Sequence, residues 1–147
     1  MANLNNIISD YLRSPEYGKL KAFHPNVHLE TNLETDLLNI LGSPIHLSKT
    51  VMNLVSNAAE AMPDGGKIRI ESSLTPAAAI VSITDNGAGI GEDAAQHIFE
   101  PFWTTKPAGT GLGLSISYRI VEAHGGSLTV ESPPAGGCRF VITLPVL

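Results

Sequence analysis

The chain has one cysteine, Cys138, in 147 residues. That excludes an internal disulfide and, with the histidines scattered, leaves no zinc-ligand spacing; a lone thiol fits a reducing compartment. Cationic side chains are few, 9 Lys and Arg against 14 Asp and Glu, and they do not cluster. A formal charge of −5 without a basic patch argues against binding nucleic acid, which depends on cations facing phosphates. No apolar run is long enough to span a bilayer, and the N-terminal stretch lacks the basic region and cleavage site of a signal peptide. The expectation is a soluble, cytoplasmic segment without membrane contact; a membrane anchor in a parent protein would lie outside it. There is no internal repeat or low-complexity tract. With 43% hydrophobic residues and a mildly positive mean hydropathy, the chain can bury one good core but not two.

The longest periodic stretch is Ser43 to Met62. Ser43-Pro44 is an N-cap and first-turn signal, and Leu47, Val51, Leu54, Ala58 and Ala61 recur at the spacing of a buried helical stripe. A second stripe runs His46, Lys49, Asn53, Asn57 and Glu60. Each asparagine in mid-helix costs about 0.5 kcal/mol relative to alanine. The stripe is either a solvated face or one wall of a binding site.

Around this helix, residues 3 to 12 show helical spacing until Ser14-Pro15 interrupts it, and the segment to Pro25 has no clear period. Val27 to Asn32 alternates as a half-buried strand, and Leu37 to Leu41 reads as a second strand. After the Pro63-Asp64-Gly65-Gly66 turn, Lys67 to Ser73 and Ala78 to Thr84 predict an antiparallel pair. Asp85 to Gly91 is a glycine-rich loop, Glu92 to His97 a short helix, and Phe99 to Lys106 an irregular aromatic stretch. A second glycine loop, Gly109 to Leu114, runs into a helix through Ile116, Ile120 and Ala123 that stops at Gly125-Gly126, with His124 as a C-cap residue. Ser127 to Glu131 and Arg139 to Leu144 close the chain as a hairpin. Few long helices and hairpins near both ends predict an α+β fold, a two-layer sandwich of helices on one face of a mixed, mostly antiparallel sheet.

A glycine loop at a helix N-terminus suits an anion, because free backbone N–H groups and the helix field both favour negative charge. The common phosphate fingerprints do not fit, however. Gly18-Lys19 is followed by Leu20 and Gly66-Lys67 by Ile68, so there is no P-loop; Glu92 stands where a Rossmann glycine would follow Gly89. No protein-kinase His-Arg-Asp or Asp-Phe-Gly occurs.

Four motifs then fall in order: Asn53-Leu-Val-Ser-Asn57-Ala, Asp85-Asn-Gly-Ala-Gly89-Ile, Ile98-Phe-Glu-Pro-Phe102 and Gly109-Thr-Gly-Leu-Gly-Leu114. Together they resemble the N, first glycine, F and second glycine boxes of the histidine-kinase catalytic and ATP-binding domain, whose superfamily includes gyrase B, Hsp90 and MutL. The resemblance covers roughly residues 27 to 145 and implies the Bergerat ATP-binding fold. Residues 1–26 are then expected to be an N-terminal helix and linker remnant, and 27–147 the catalytic domain.

By that resemblance Asn57 gives a carboxamide oxygen to Mg²⁺, and Asn53 lines the same wall one turn earlier. Asp85 accepts from the adenine 6-amino group of ATP, Gly87 and Gly89 let the loop approach the base, and Ile90 packs near it. The backbone of Thr110, Gly111, Leu112, Gly113 and Leu114 cradles phosphate, with Lys106 a mobile cation at a short lid. Relatives of the gyrase and Hsp90 type carry glutamate at the position of Asn53, as a base for the attacking water. An amide cannot take a proton at pH 7, so poor hydrolysis and γ-phosphoryl transfer to an imidazole are implied.

Two positions depart from the family pattern. Glu60 replaces a basic residue and is expected to face outward, and Cys138 replaces threonine near Asp85. No histidine here is followed by an acid as in the phosphoacceptor box. The acceptor is therefore expected on a separate phosphoacceptor and dimerisation domain, with a response regulator downstream. The competing readings are a nucleotide-binding regulatory module without turnover and a stand-alone ATPase.

Overall fold

The computed structural model describes residues 2–37, 39–100 and 113–147. In chain order it contains α1 (Leu4–Leu12), α2 (Pro15–Phe23), β1 (Val27–Asn32), α3 (Pro44–Glu60), β2 (Gly66–Leu74), β3 (Ala78–Asp85), α4 (Glu92–Ala95), α5 (Gly113–Ala123), β4 (Ser127–Glu131) and β5 (Cys138–Pro145). The sheet order is β1-β2-β3-β5-β4, with β1 and β2 parallel and every other pair antiparallel. The expected mixed α+β sandwich is what the chain forms. The single parallel pair follows from α3, which carries the chain from β1 back to the start of β2.

Alternation delivers the core. Ile68 and Ile70 of β2, Ala79, Val81 and Ile83 of β3, and Phe140, Ile142 and Leu144 of β5 are buried at every second position, as the pleat requires. Against this row lies α3, capped by the Ser43 side chain, which accepts from the His46 N–H. It buries Leu47, Thr50, Val51, Leu54, Val55, Ala58 and Ala59 and packs between α1 and α5. Ala61, expected on the buried stripe, is exposed, because the helix ends at Glu60 and Met62 enters the core instead. In α5 the buried residues are Ser115, Ser117 and Val121, while Ile116 and Ile120 are half-buried and Ala123 is exposed.

Two expectations about the first third of the chain need correction. The described residues among 37 to 41 belong to no strand: Ile40 makes an isolated antiparallel bridge with Ala2, each N–H donating to the other's carbonyl at 2.8 Å. The apolar run signals burial of Leu37 and Ile40 rather than an extended ladder. Residues 15 to 23 are helical, with Ser14 as N-cap and Pro15 in the first turn. This helix buries no residue, so it lacks the periodicity by which helices are recognised.

The expected boundary after residue 26 marks no break in packing. Leu4, Ile7, Ile8 and Tyr11 of α1 belong to the same core as α3 and the sheet. Buried Ser72 on β2 donates to Asn5 Oδ1 at 2.7 Å and accepts from the Glu34 N–H at 2.7 Å, while Asn5 Nδ2 donates to the Glu34 carbonyl at 2.6 Å. Removing most of the wholly buried Ile8 side chain is therefore expected to cost about 2–5 kcal/mol. Urea denaturation of Ile8→Ala measures it; a loss below about 0.5 kcal/mol, the size of a neutral surface change, would show that α1 is dispensable to the core.

Candidate functional site

The parity of β3 places Asp85 in the buried row: Ala79, Val81 and Ile83 are followed by a carboxylate on the same face, 3% exposed. Its Oδ1 accepts from the Gly87 N–H at 2.9 Å, and the Cys138 backbone N–H donates to the same side chain. Burial pushes the Asp85 pKa up, and the two N–H donors oppose that shift. Cys138 is its direct partner across the β3–β5 ladder. Burial and then the Asp85 charge push the Cys138 thiol up to about 12, so it stays protonated at neutral pH.

The glycine loop after β3 is shaped by close approach. A Cβ on Gly87 would stand 2.8 Å from the Ala61 carbonyl oxygen and 3.2 Å from Asp85 Oδ1, so only glycine passes between the end of α3 and the carboxylate. Gly89 has φ +82°, and a Cβ there would meet the Gly137 carbonyl at 3.1 Å. Gly137, also left-handed at φ +82°, packs directly against the Asp85 backbone. Sequence reasoning missed Gly137. It saw a hairpin turn, whereas register with Asp85, invisible before the strands are paired, makes the residue part of the site. Ile90 is half-buried against the core.

The second wall is the α3 face that meets α5. Asn53 and Asn57 lie one turn apart, both half-buried, and Glu60 is exposed. Asn53 Nδ2 donates to Ser117 Oγ at 3.3 Å and to the Gly113 carbonyl at 3.4 Å, and Ser117 Oγ donates to the same carbonyl at 2.9 Å. These bonds tie the middle of α3 to the first turn of α5. Gly113 is exposed there and Leu114 half-buried. Phe99, from the F box, stacks on Tyr118 of α5 with centroids 5.0 Å apart and meets Phe140 edge-on.

Asp85, Gly87 and Gly89 thus gather at the C-terminal end of α3, and Asn53 and Asn57 share its flank with Gly113. Lys106, Thr110, Gly111 and Leu112 lie outside the described residues, as do Pro101, Phe102 and Gly109. Among the described residues no group of three or more His, Cys, Asp or Glu could hold a metal. No described helix is long and apolar enough to cross a membrane.

A buried acid at a strand end, glycines that bring the backbone against it, and an amide-bearing helix facing the start of another helix define a nucleotide-binding α+β domain. Residues 42–147 match the family model of histidine kinase-, DNA gyrase B- and HSP90-like ATPases, and the chain belongs to that family. It is 43% identical over 122 residues to sporulation kinase E of Bacillus subtilis (strain 168), covering 82% of this chain and 16% of the relative. To the signal transduction histidine-protein kinase AtoS of Escherichia coli (strain K12) it is 35% identical over 145 residues, covering 98% of this chain and 23% of the relative. The nucleotide-free catalytic domain of histidine kinase ThkA superposes with a TM-score of 0.86 at 33% identity, covering 99% of this chain and 93% of that one. The chain is thus an ATP-binding catalytic domain of the histidine-kinase type, and it spans about a quarter or less of the length of these two curated relatives.

Asp85→Asn separates binding from stability. A carboxylate whose pKa is raised by folding adds stability that is complete below its unfolded pKa and is lost as pH rises through the folded one. Wild type should therefore gain on Asp85→Asn as pH falls through that range, as read by paired thermal melts. At neutral pH the variant should keep its fold while its affinity for ATP drops at least tenfold by calorimetry, on the order of 1.4 kcal/mol for one lost buried hydrogen bond. Unchanged affinity would overturn the expectation that Asp85 recognises adenine.

Proposed function

We propose that this domain binds Mg²⁺-ATP in the space between α3, the loop after β3 and the start of α5, and passes the γ-phosphoryl group to a histidine on a separate phosphoacceptor and dimerisation domain. A response regulator would then receive it. The observation that carries this reading is Asp85. An acid held in the core by two backbone N–H groups leaves acceptor capacity at a mouth walled by glycines, and such an acceptor favours the 6-amino group of adenine over the carbonyl oxygen of guanine. Asn57 presents a hard carboxamide oxygen to Mg²⁺ and Ile90 packs beside the base; the assignment of Gly111 to Leu114 and Lys106 to the phosphates rests on the family's motif alone.

Asn53 has no base function, because its amide takes no proton at pH 7. Hydrolysis by the domain alone should accordingly be slow, and an imidazole nitrogen, already a good nucleophile, needs little help from this wall. We also assign residues 2–26 to the catalytic domain itself. Their α1 side chains fill its core, and the ThkA catalytic domain aligns over nearly the whole chain. A cytoplasmic setting suits the use of ATP and the buried free thiol.

Incubating the domain with ATP, Mg²⁺ and a cognate acceptor domain is expected to give acid-labile phosphohistidine on the acceptor. Asn57→Ala should bind ATP with little remaining dependence on Mg²⁺ and transfer at least a hundredfold more slowly, on the scale of a lost transition-state contact. Tight ATP binding without transfer to a proven acceptor would favour a regulatory module instead, and sustained turnover without acceptor an ATPase.

A further inference from the structure

Helix α3 begins with an incomplete cap. Ser43 accepts from the His46 N–H, but the return half of a capping box, a Glu or Gln three residues on whose side chain accepts the cap residue's own N–H, is absent because residue 46 is histidine. The Ser43 N–H instead donates to His124 Nε2 at 3.0 Å, across 81 positions of sequence. The other ring nitrogen, Nδ1, lies 2.7 Å from the Ile120 carbonyl in the last turn of α5. A carbonyl only accepts and a backbone N–H only donates, so the two partners fix one neutral tautomer, with the proton on Nδ1.

The surroundings are built to hold this ring. Gly125 is left-handed at φ +78°, the Gly126 N–H donates to the Val121 carbonyl at 3.1 Å and the Gly125 N–H to Glu122 at 2.9 Å, so a Schellman turn fixes the backbone around His124. On the other side a Cβ at Gly42 would lie 2.7 Å from the imidazole Cδ2 and 3.1 Å from Nε2. Gly42 is thus the space into which the ring fits.

We propose that His124 is a positioning residue that completes the cap of α3 from the end of α5 and so sets how the two helices face each other. At one end they are joined by this imidazole, and further along by the bonds from Asn53 to Gly113 and Ser117. The nucleotide wall lies along the same α3–α5 seam. This inference rests on the pocket reading above, because its functional consequence is the spacing between Asn53, Asn57 and the start of α5.

The test uses four variants of the full chain, with binding of a non-hydrolysable ATP analogue plus Mg²⁺, thermal melting and hydrogen exchange as readouts. His124→Leu should weaken the analogue roughly 2- to 30-fold, the range of coupling through a packed network, and speed exchange in both the first turn of α3 and the last turn of α5. His124→Gln keeps an acceptor at similar reach and should recover most of both. Gly42→Ala, which takes the ring's space without altering the ring, should reproduce His124→Leu. His46→Glu added to His124→Leu builds the missing box within α3; it should restore the melting temperature and the exchange of α3 but not the α5 exchange or the affinity. If the added glutamate restores affinity too, His124 is only a helix cap and the proposal is overturned. Unchanged affinity in His124→Leu, with wild type binding normally, overturns it as well. Failure of wild type to bind would instead defeat the pocket reading, and the exchange of α5 in the double variant would then decide the clamp by itself.

Discussion

Everything in this domain is arranged around the requirement that α3 be buried on one face and polar on the next. Its inner face, from Leu47 to Ala59, fills the space over the sheet and between α1 and α5, and the burial is nearly complete at every one of these positions. Fully burying one such leucine or valine is worth about 1.5–3 kcal/mol, which easily offsets the half kilocalorie or so that each mid-helix asparagine costs. Packing therefore permits a flank populated by Asn53 and Asn57. The same packing, together with the polar bonds that join α3 to α5, fixes their height relative to α5 and to the loop after β3.

A second tension sits at the end of β3. The pleat gives Asp85 the buried side of the sheet, and desolvation disfavours its charge. The fold answers with two backbone N–H donors and with glycines on both approaching segments, Gly87 from the loop and Gly137 from the turn before β5. A larger residue at either position would force the loop away and let water or a gap in beside the carboxylate. The neighbouring thiol of Cys138 contributes no competing charge, since burial and Asp85 together keep it protonated. The site is thus an acceptor, held rigidly and kept dry, at the mouth of a loop whose backbone can come close to a ligand.

Much of this was readable from residue order. The α3 stripe, the alternation of β2, β3 and β5, and the glycine loop after β3 each carry a local period or a turn signal, and the structure places them where those signals point. What failed to show had no local signature. Helix α2 buries nothing, so its capping Ser14-Pro15 looked like an interruption when the same Ser-Pro pair opens α3. The segment at Ile40 is apolar because it is buried, yet it pairs through one bridge only. The role of Gly137 depends on strand register, and that of Gly42 on a helix end far along the sequence; neither can be read before the chain is folded. The glycines that follow His124 mark it as the C-cap of α5, but its bond to Ser43 is a tertiary fact.

Asn53 shows how a single side chain answers two demands at once. Ser117 already donates its hydroxyl hydrogen to the Gly113 carbonyl, so at this junction both Ser117 Oγ and that carbonyl offer lone pairs to α3. An amide meets them with its Nδ2 hydrogens, at 3.3 and 3.4 Å, long enough that each bond is weak but both have the right polarity. A carboxylate in the same place could not donate to the Gly113 carbonyl and could bond Ser117 only by taking the hydroxyl hydrogen that now goes to that carbonyl. The amide that, on the proposed reading, leaves the pocket without a base for hydrolysis is therefore also the group whose donors hold the start of α5 against α3. Exchanging it for an acid would not simply install a base, because it would also disturb the bonds that hold the start of α5, the wall proposed to bind the phosphates.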